Sequence, residues 1–358
     1  MNTGRRLSMI GIALLTVVVL ALGALDSTVA KKKKKSDAKP EEDPYAEYVW
    51  PPPPDKARIK LERVIMGRAD VEARSKFRRK LMGMSPQNPY DSLKKPFAVA
   101  FDTEGRILVT DSSNGSLHRF DLENRVMDVL GTHGMMRLKL PLGLDVSPEG
   151  TIYVADGGLG KVVAFDPEGK LVSVYGQRGE LENPTDAALS PDGSALFVAD
   201  SKAHRIAIFD VDSGALRSFF GRRGGGDGEF NFPTSLAFDP EGNLYVVDQI
   251  NARIQIFDGE NEYVDEFGKR GVDFSNFVRP KDVAVDEVGF IYVTDHALNN
   301  VQIFDADLSL LTFVGEGGFA PGRFYGASGV AVQGDRLAVV DQLGRRIQLF
   351  RFIVPKDE

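Results

Sequence analysis

From Pro96 onward the apolar residues come in short bursts of strand length, each broken by a polar turn, and they do not follow the spacing of an amphipathic helix. The bursts recur with a fixed marker. An Asp closes one apolar burst in every unit, at Asp111, Asp156, Asp200, Asp248, Asp295 and Asp341, with spacings of 45, 44, 48, 47 and 46 residues. A period of this size, filled by three or four short strands, predicts the blades of a propeller.

One unit shows the plan. A proline leads the strand "SLAFD", then come the turn "PEGN", the strand "LYVVD", the polar turn "QINA", the strand "RIQIFD" and a last strand "EYVDEFG". The turns that begin at Pro148, Pro167, Pro191 and Pro240 read "PEG" or "PDG". There proline pre-sets φ and glycine supplies the positive φ that a tight antiparallel connection needs. Val, Ile and Phe fill the strands, as a sheet covered on both faces by its neighbours requires.

Five units end in a glycine, at Gly131, Gly176, Gly221, Gly268 and Gly315, whereas the sixth stops at "RIQLFRF" without a fourth strand. The segment "RIKLERVIMG", Arg58 to Gly67, has the form of that missing strand and precedes the first unit. It is expected to pair beside Ile347 to Phe352 and close the ring, because an open ring would expose a sheet edge. The predicted fold is all-β, a six-bladed propeller spanning residues 56–352 with its last blade closed by an N-terminal strand at 58–67, and with a short tail at 353–358.

Ahead of this domain, Arg5 and Arg6 precede a mostly apolar run from Leu7 to Leu25, and Ser27 to Ala30 resemble a cleavage site. Residues 1–30 therefore read as a signal peptide or, at this length, as an uncleaved membrane anchor. The five lysines from Lys31 to Lys35 oppose export by the charge rule, but the n-region and the cleavage site favour it. The domain is expected outside the cytoplasm, in the periplasm or cell envelope. Residues 31–55, charged and then proline-rich up to Pro54, are expected to form a solvated tether, with Trp50 packed on the domain edge.

Composition removes several functions. The formal charge of -7 argues against a chain built to grip nucleic acid. The absence of cysteine excludes disulfides, thiolate metal sites and cysteine nucleophiles.

The stretches "YVVDQINARIQIFD" (Tyr245 to Asp258) and "YVTDHALNNVQIFD" (Tyr292 to Asp305), with the loop "GRRGGGDGEFNFP" (Gly221 to Pro233), resemble NHL repeats. The resemblance covers Pro96 to Phe352 and weakens in the first unit ("SNGSLHRFD") and in the sixth, where Ala327 replaces the leading proline. It implies a rigid ring used for binding, sensing or catalysis. Among such proteins, peptidyl-hydroxyglycine amidating lyases are implied to carry zinc-binding histidines after the leading prolines. Here those positions are Phe97, Leu142, Thr185, Thr234 and Lys281.

His118, His133, His204 and His296 fall at unmatched positions and read as surface residues, His204 and His296 with a weaker hint of a ligand site. The marker aspartates read as anchors for the following turns. The glycine run Gly221 to Gly228 joins two strands and opens no helix, so it reads as a turn that lets Phe230 plug between blades, as Phe277 and Phe324 do in theirs.

Two sites remain. Thr185, Asp186, Thr234, Lys281 and Asp282 on the innermost strands are expected to line one mouth of the central channel, where a small ligand would sit if water does not, or a calcium ion as in the six-bladed calcium-dependent hydrolases that the chain distantly resembles. The connection from Arg68 to Lys95, with a helix expected across Val71 to Met84, is rich in basic residues such as Arg74, Arg78, Arg79 and Lys80. Together with Arg222, Arg223, Lys269 and Arg270 these form a basic face expected to dock an acidic protein partner.

The expected function is that of a monomeric, non-catalytic scaffold needing no cofactor or metal and binding no nucleic acid, with membrane contact through the N-terminal segment if it is uncleaved. The alternatives are a metal-dependent lyase or hydrolase at the channel mouth and a cytoplasmic-side module that binds RNA.

Overall fold

The computed structural model describes residues 43–72, 88–134 and 136–353. The apolar run 7–25, the lysines 31–35, and Arg74, Arg78, Arg79 and Lys80 of the basic connection lie outside them. Among the described residues no helix is long and apolar enough to cross a membrane.

Six antiparallel sheets stand around a common axis. The innermost strand is the one led by the repeat proline, for example Pro184–Leu189 in blade three and Pro280–Val285 in blade five, or by Ala327 in blade six. Successive innermost strands pack on one another around the ring, the last against the first. At that closing joint Ser328 Oγ donates to the carbonyl of Phe97 at 2.8 Å and Gln333 Nε2 to that of Asp102 at 3.1 Å.

The ring closes as the pattern predicts. Strand β2 (Ile59–Ile65) pairs antiparallel with Arg346–Phe352, setting Leu61 opposite Phe350 and Ile65 opposite Ile347. All four side chains are fully buried, so the apolar alternation of the early segment is matched to the face it covers.

The tether is shorter than expected. Strand β1 (Val49–Trp50) adds a fifth strand outside β2, and Trp50 packs edge-on against Phe350 at 5.4 Å between ring centroids. Tyr45 and Tyr48 join the same cluster. Three aromatic side chains bury more apolar surface here than a proline-rich spacer could leave in water, so the chain is part of the domain from Asp43 onward. In the basic connection, the described ends hold short 3-10 turns at Arg68–Asp70 and Pro89–Asp91. The rest of the expected helix lies outside the described residues.

Between blades the plugs are in place. Phe230, Phe277 and Phe324 have no exposed surface. Gly221, at φ +83, lies so close to Phe230 that a Cβ there would stand 2.4 Å from the ring, which explains the glycine ending each outer strand.

Candidate functional site

Each innermost strand runs in the same direction, so one face of the ring carries its N-terminal ends, the connections between second and third strands, and the connections from each outer strand to the next blade. We call this the loop face. It carries Arg178, Arg222, Arg223, Lys269 and Arg270, all exposed.

A repeated device fixes these loops. In blade four, Arg253 on the third strand donates from Nε to the buried carboxylate of Asp248 at 3.0 Å, and from Nη2 to the carbonyls of Gly226 and Glu229 at 2.8 and 3.0 Å. Two residues on, Gln255 accepts from the amide of Gly228 at 3.0 Å and donates to the Glu229 carbonyl at 2.8 Å. Gln302 does the same for Ser275 and Asn276, and Gln348 for Gly322 and Arg323. Long loops are thereby held by buried, fully paired polar groups, which fixes their shape. The signal was present in the repeated "RIQIFD", "NVQIFD" and "RIQLFRF", where a Gln interrupts an apolar strand.

The marker aspartates hold the turns that follow them and, in addition, the loops that precede their blades. Asp295 accepts from the amides of Ala297 and Leu298 at 2.8 and 2.9 Å, and from those of Val278 and Arg279 at 2.7 and 3.0 Å. One carboxylate thus ties two loops of the same face together.

His133 is exposed as expected, but the other three histidines correct the surface reading. His118 is fully buried where blades four to six have their Gln, with Nε2 3.1 Å from Ser116 Oγ and Nδ1 without a partner. Burial pulls its pKa down to about 4. His204 is also buried and accepts at Nδ1 from the Phe232 amide at 3.1 Å. His296, half-buried, places Nδ1 3.2 Å from the Ala327 carbonyl. A polar side chain that satisfies a loop amide or carbonyl is drawn inside by that bond, and spacing alone does not reveal the acceptor.

The channel is a cavity of about 630 Å³ lined by the innermost strands, and it contains Thr185, Asp186, Thr234, Lys281 and Asp282 together. Most of these groups bond to the ring itself. Asp186 accepts from the Leu236 amide of the next blade at 2.9 Å, and Asp282 from the Val330 amide at 2.8 Å and from Ser235 Oγ. Thr234 Oγ1 donates to the Lys281 carbonyl at 3.2 Å, and Thr185 Oγ1 to the Ala199 carbonyl at 3.2 Å. Asp145, which the sequence reading passed over, accepts from Leu189 one blade on at 2.8 Å.

Burial raises the Asp282 pKa to about 6; burial and then the charge of Asp282 push Asp186 well up. Burial lowers Lys281 to about 8, and its ammonium lies 4.4 Å from the Phe97 ring centroid. Among the described residues no three His, Asp or Glu side chains gather in a group able to hold a metal ion.

The fold defines a six-bladed β-propeller. Residues 230–257, in blade four, match the NHL repeat, and the other blades repeat the same strand plan. No curated protein matches the sequence significantly. Solved structures similar in fold include a catalytically inactive virginiamycin B lyase from Staphylococcus aureus bound to quinupristin. It is 15% identical at TM-score 0.54 over 75% of this chain and 83% of the other. A gluconolactonase from Xanthomonas campestris is 17% identical at TM-score 0.58, covering 82% and 98%. A Bacteroides thetaiotaomicron protein of unknown function is 15% identical at TM-score 0.62, covering 83% and 76%. At these identities the likeness extends to the ring and not to its chemistry.

Proposed function

We infer that the chain is an extracytoplasmic scaffold that binds an acidic protein or other anionic ligand through its loop face and does not turn it over. The observation that carries this reading is the pinning of the loops of blades four to six by buried Arg and Gln side chains, while exposed cations stand on the same loops. Among the described residues Arg223 and Lys269 make no ion pair. Pre-shaped loops with free charge bind without paying to order themselves.

The channel supports turnover less well. Three of its carboxylates, Asp145, Asp186 and Asp282, accept from amides of the neighbouring blade, so they stabilise the ring rather than face a substrate. A small ligand at the mouth would meet mainly Lys281.

The test is photo-crosslinking in intact cells from positions 223 and 269, with positions 260 and 307 on the opposite face as controls. The reading expects adducts from the first pair only, lost on reversing the charge of Arg222 and Arg270. Equal adducts from both faces would overturn it.

A further inference from the structure

The two faces of the ring differ in charge. The first-to-second and third-to-fourth connections of blades one to five read "DTEGR", "SPEGT", "SPDGS", "DPEGN", "DEVGF", "LENR", "DPEGK", "VDSGA", "DGENE" and "DADLS", seventeen acidic residues against three basic. On the loop face, the second-to-third connections and the five links between successive blades carry eleven basic residues against six acidic. A particle polarised in this way turns its loop face toward an anionic sheet and its other face away.

The loop face is also apolar along one arc. Val272 and Phe274 in the link from blade four to five are 77% and 67% exposed, and Phe319 in the next link is 68% exposed. Phe232, Ile250, Tyr325 and Leu343 continue the exposed set over blades four to six, with Phe319 and Tyr325 4.7 Å apart between ring centroids. In the corresponding loops of blades one to three, only Met66 and Leu140 are exposed large apolar residues among the described residues.

We propose that this arc docks on an anionic lipid surface, with Phe274, Phe319 and Val272 entering the headgroup layer and Arg223, Lys269 and Arg270 pairing with lipid phosphates. The proposal rests on the loop face being the binding face and names its partner. A lipid surface fits because exposed apolar side chains, Val272 and Phe274 on one link and Phe319 and Tyr325 on the next, stand on the same run of inter-blade links as the cations Arg223, Lys269 and Arg270, the mixed apolar and basic character of an interfacial membrane surface. The covalent path agrees. Seventeen residues separate Leu25, the end of the apolar run, from the domain at Asp43, a contour of roughly 60 Å at most, so an N-terminal segment held in a bilayer keeps the ring near it.

The chain has no cysteine, so one introduced cysteine takes a label at a single place. Full-length protein carrying Phe274→Cys or Phe319→Cys, or Val288→Cys on the opposite face, is labelled with an environment-sensitive fluorophore and reconstituted in vesicles of phosphatidylcholine with or without phosphatidylglycerol. The expected result is a blue shift and loss of acrylamide quenching at positions 274 and 319 in the anionic vesicles alone. Position 288 stays aqueous, and high salt or R223E/K269E/R270E reverses the effect. Labels at 274 and 319 that remain aqueous in anionic vesicles overturn the lipid proposal, and if crosslinking from 223 and 269 persists the loop-face reading stands with a protein as its partner. A shift that depends on protein concentration without vesicles also overturns it, in favour of a second copy.

Discussion

Arg253 and Asp248 form a buried pair, with Nε 3.0 Å from Oδ2, and the same guanidinium holds two carbonyls of the loop above it. The arrangement recurs at Arg346 and Asp341, at 2.7 Å, and at Arg205 and Asp200, at 3.2 Å. Blade and loop are therefore fixed by one side chain.

Removing that side chain leaves the buried Asp248 carboxylate without its counter-charge and takes one donor each from the carbonyls of Gly226 and Glu229, which keep only the Glu229 amide and Gln255. Arg253→Ala is expected to cost about 3–5 kcal/mol, the scale for breaking a buried pair. Urea denaturation measures it. Arg253→Lys is expected to recover only part of the loss, because a point charge cannot reach the carboxylate and both carbonyls together.

Closure of the ring depends on the early strand. Leu61 is fully buried opposite Phe350, and Leu61→Ala should destabilise the domain by about 2–5 kcal/mol. Removal of residues 56–67 should give aggregation, read by light scattering. Melting unchanged by either variant would refute the closure.

The innermost strands leave no room at Gly143. A Cβ there would lie 1.9 Å from Asp186 Oδ1 and 2.6 Å from its Cα. Gly143→Ala is expected to cost about 1–3 kcal/mol by overpacking. Because the clash displaces the carboxylate that caps the Leu236 amide, hydrogen exchange at Leu236 should rise in the same variant.

His118 gives a pH signature. Its pKa is about 4 when folded, below the ordinary value of 6.5, so the unfolded chain takes its proton first. The contribution is complete above pH 6.5 and is lost as pH falls toward 4. His118→Gln should remove that loss, up to about 3 kcal/mol between wild type and variant over this window. Asp282 acts in the opposite sense. Its folded pKa of about 6 lies above the usual carboxylate value, so its contribution to stability grows as pH falls from 6 toward 4. The difference between the melting-temperature curves of wild type and H118Q isolates the histidine.

Much of the fold was legible because the repeat is written in the chain. The marker aspartates, the leading prolines and the glycines ending each outer strand impose a period that any one unit could obscure but six could not. The missing last strand was legible for the same reason, since five complete units define what the sixth lacks. Trp50 was correctly assigned to the domain edge, but the aromatics at Tyr45 and Tyr48 gave no period to read, and only their packing on Phe350 and its neighbours draws the chain into the blade.

By itself, the sequence determined the all-β repeat, the number of blades and the segment that closes them, because local alternation and turn chemistry act within each unit. Only the tertiary structure decided that Asp186 and Asp282 cap amides of the next blade, that His118 and His204 lie inside, and that the loops carrying Arg223 and Lys269 are pinned from below. Those bonds join residues up to about fifty positions apart in the chain, and which donor meets which acceptor is set by the register and angle between neighbouring blades, which the periodicity of a single unit does not encode.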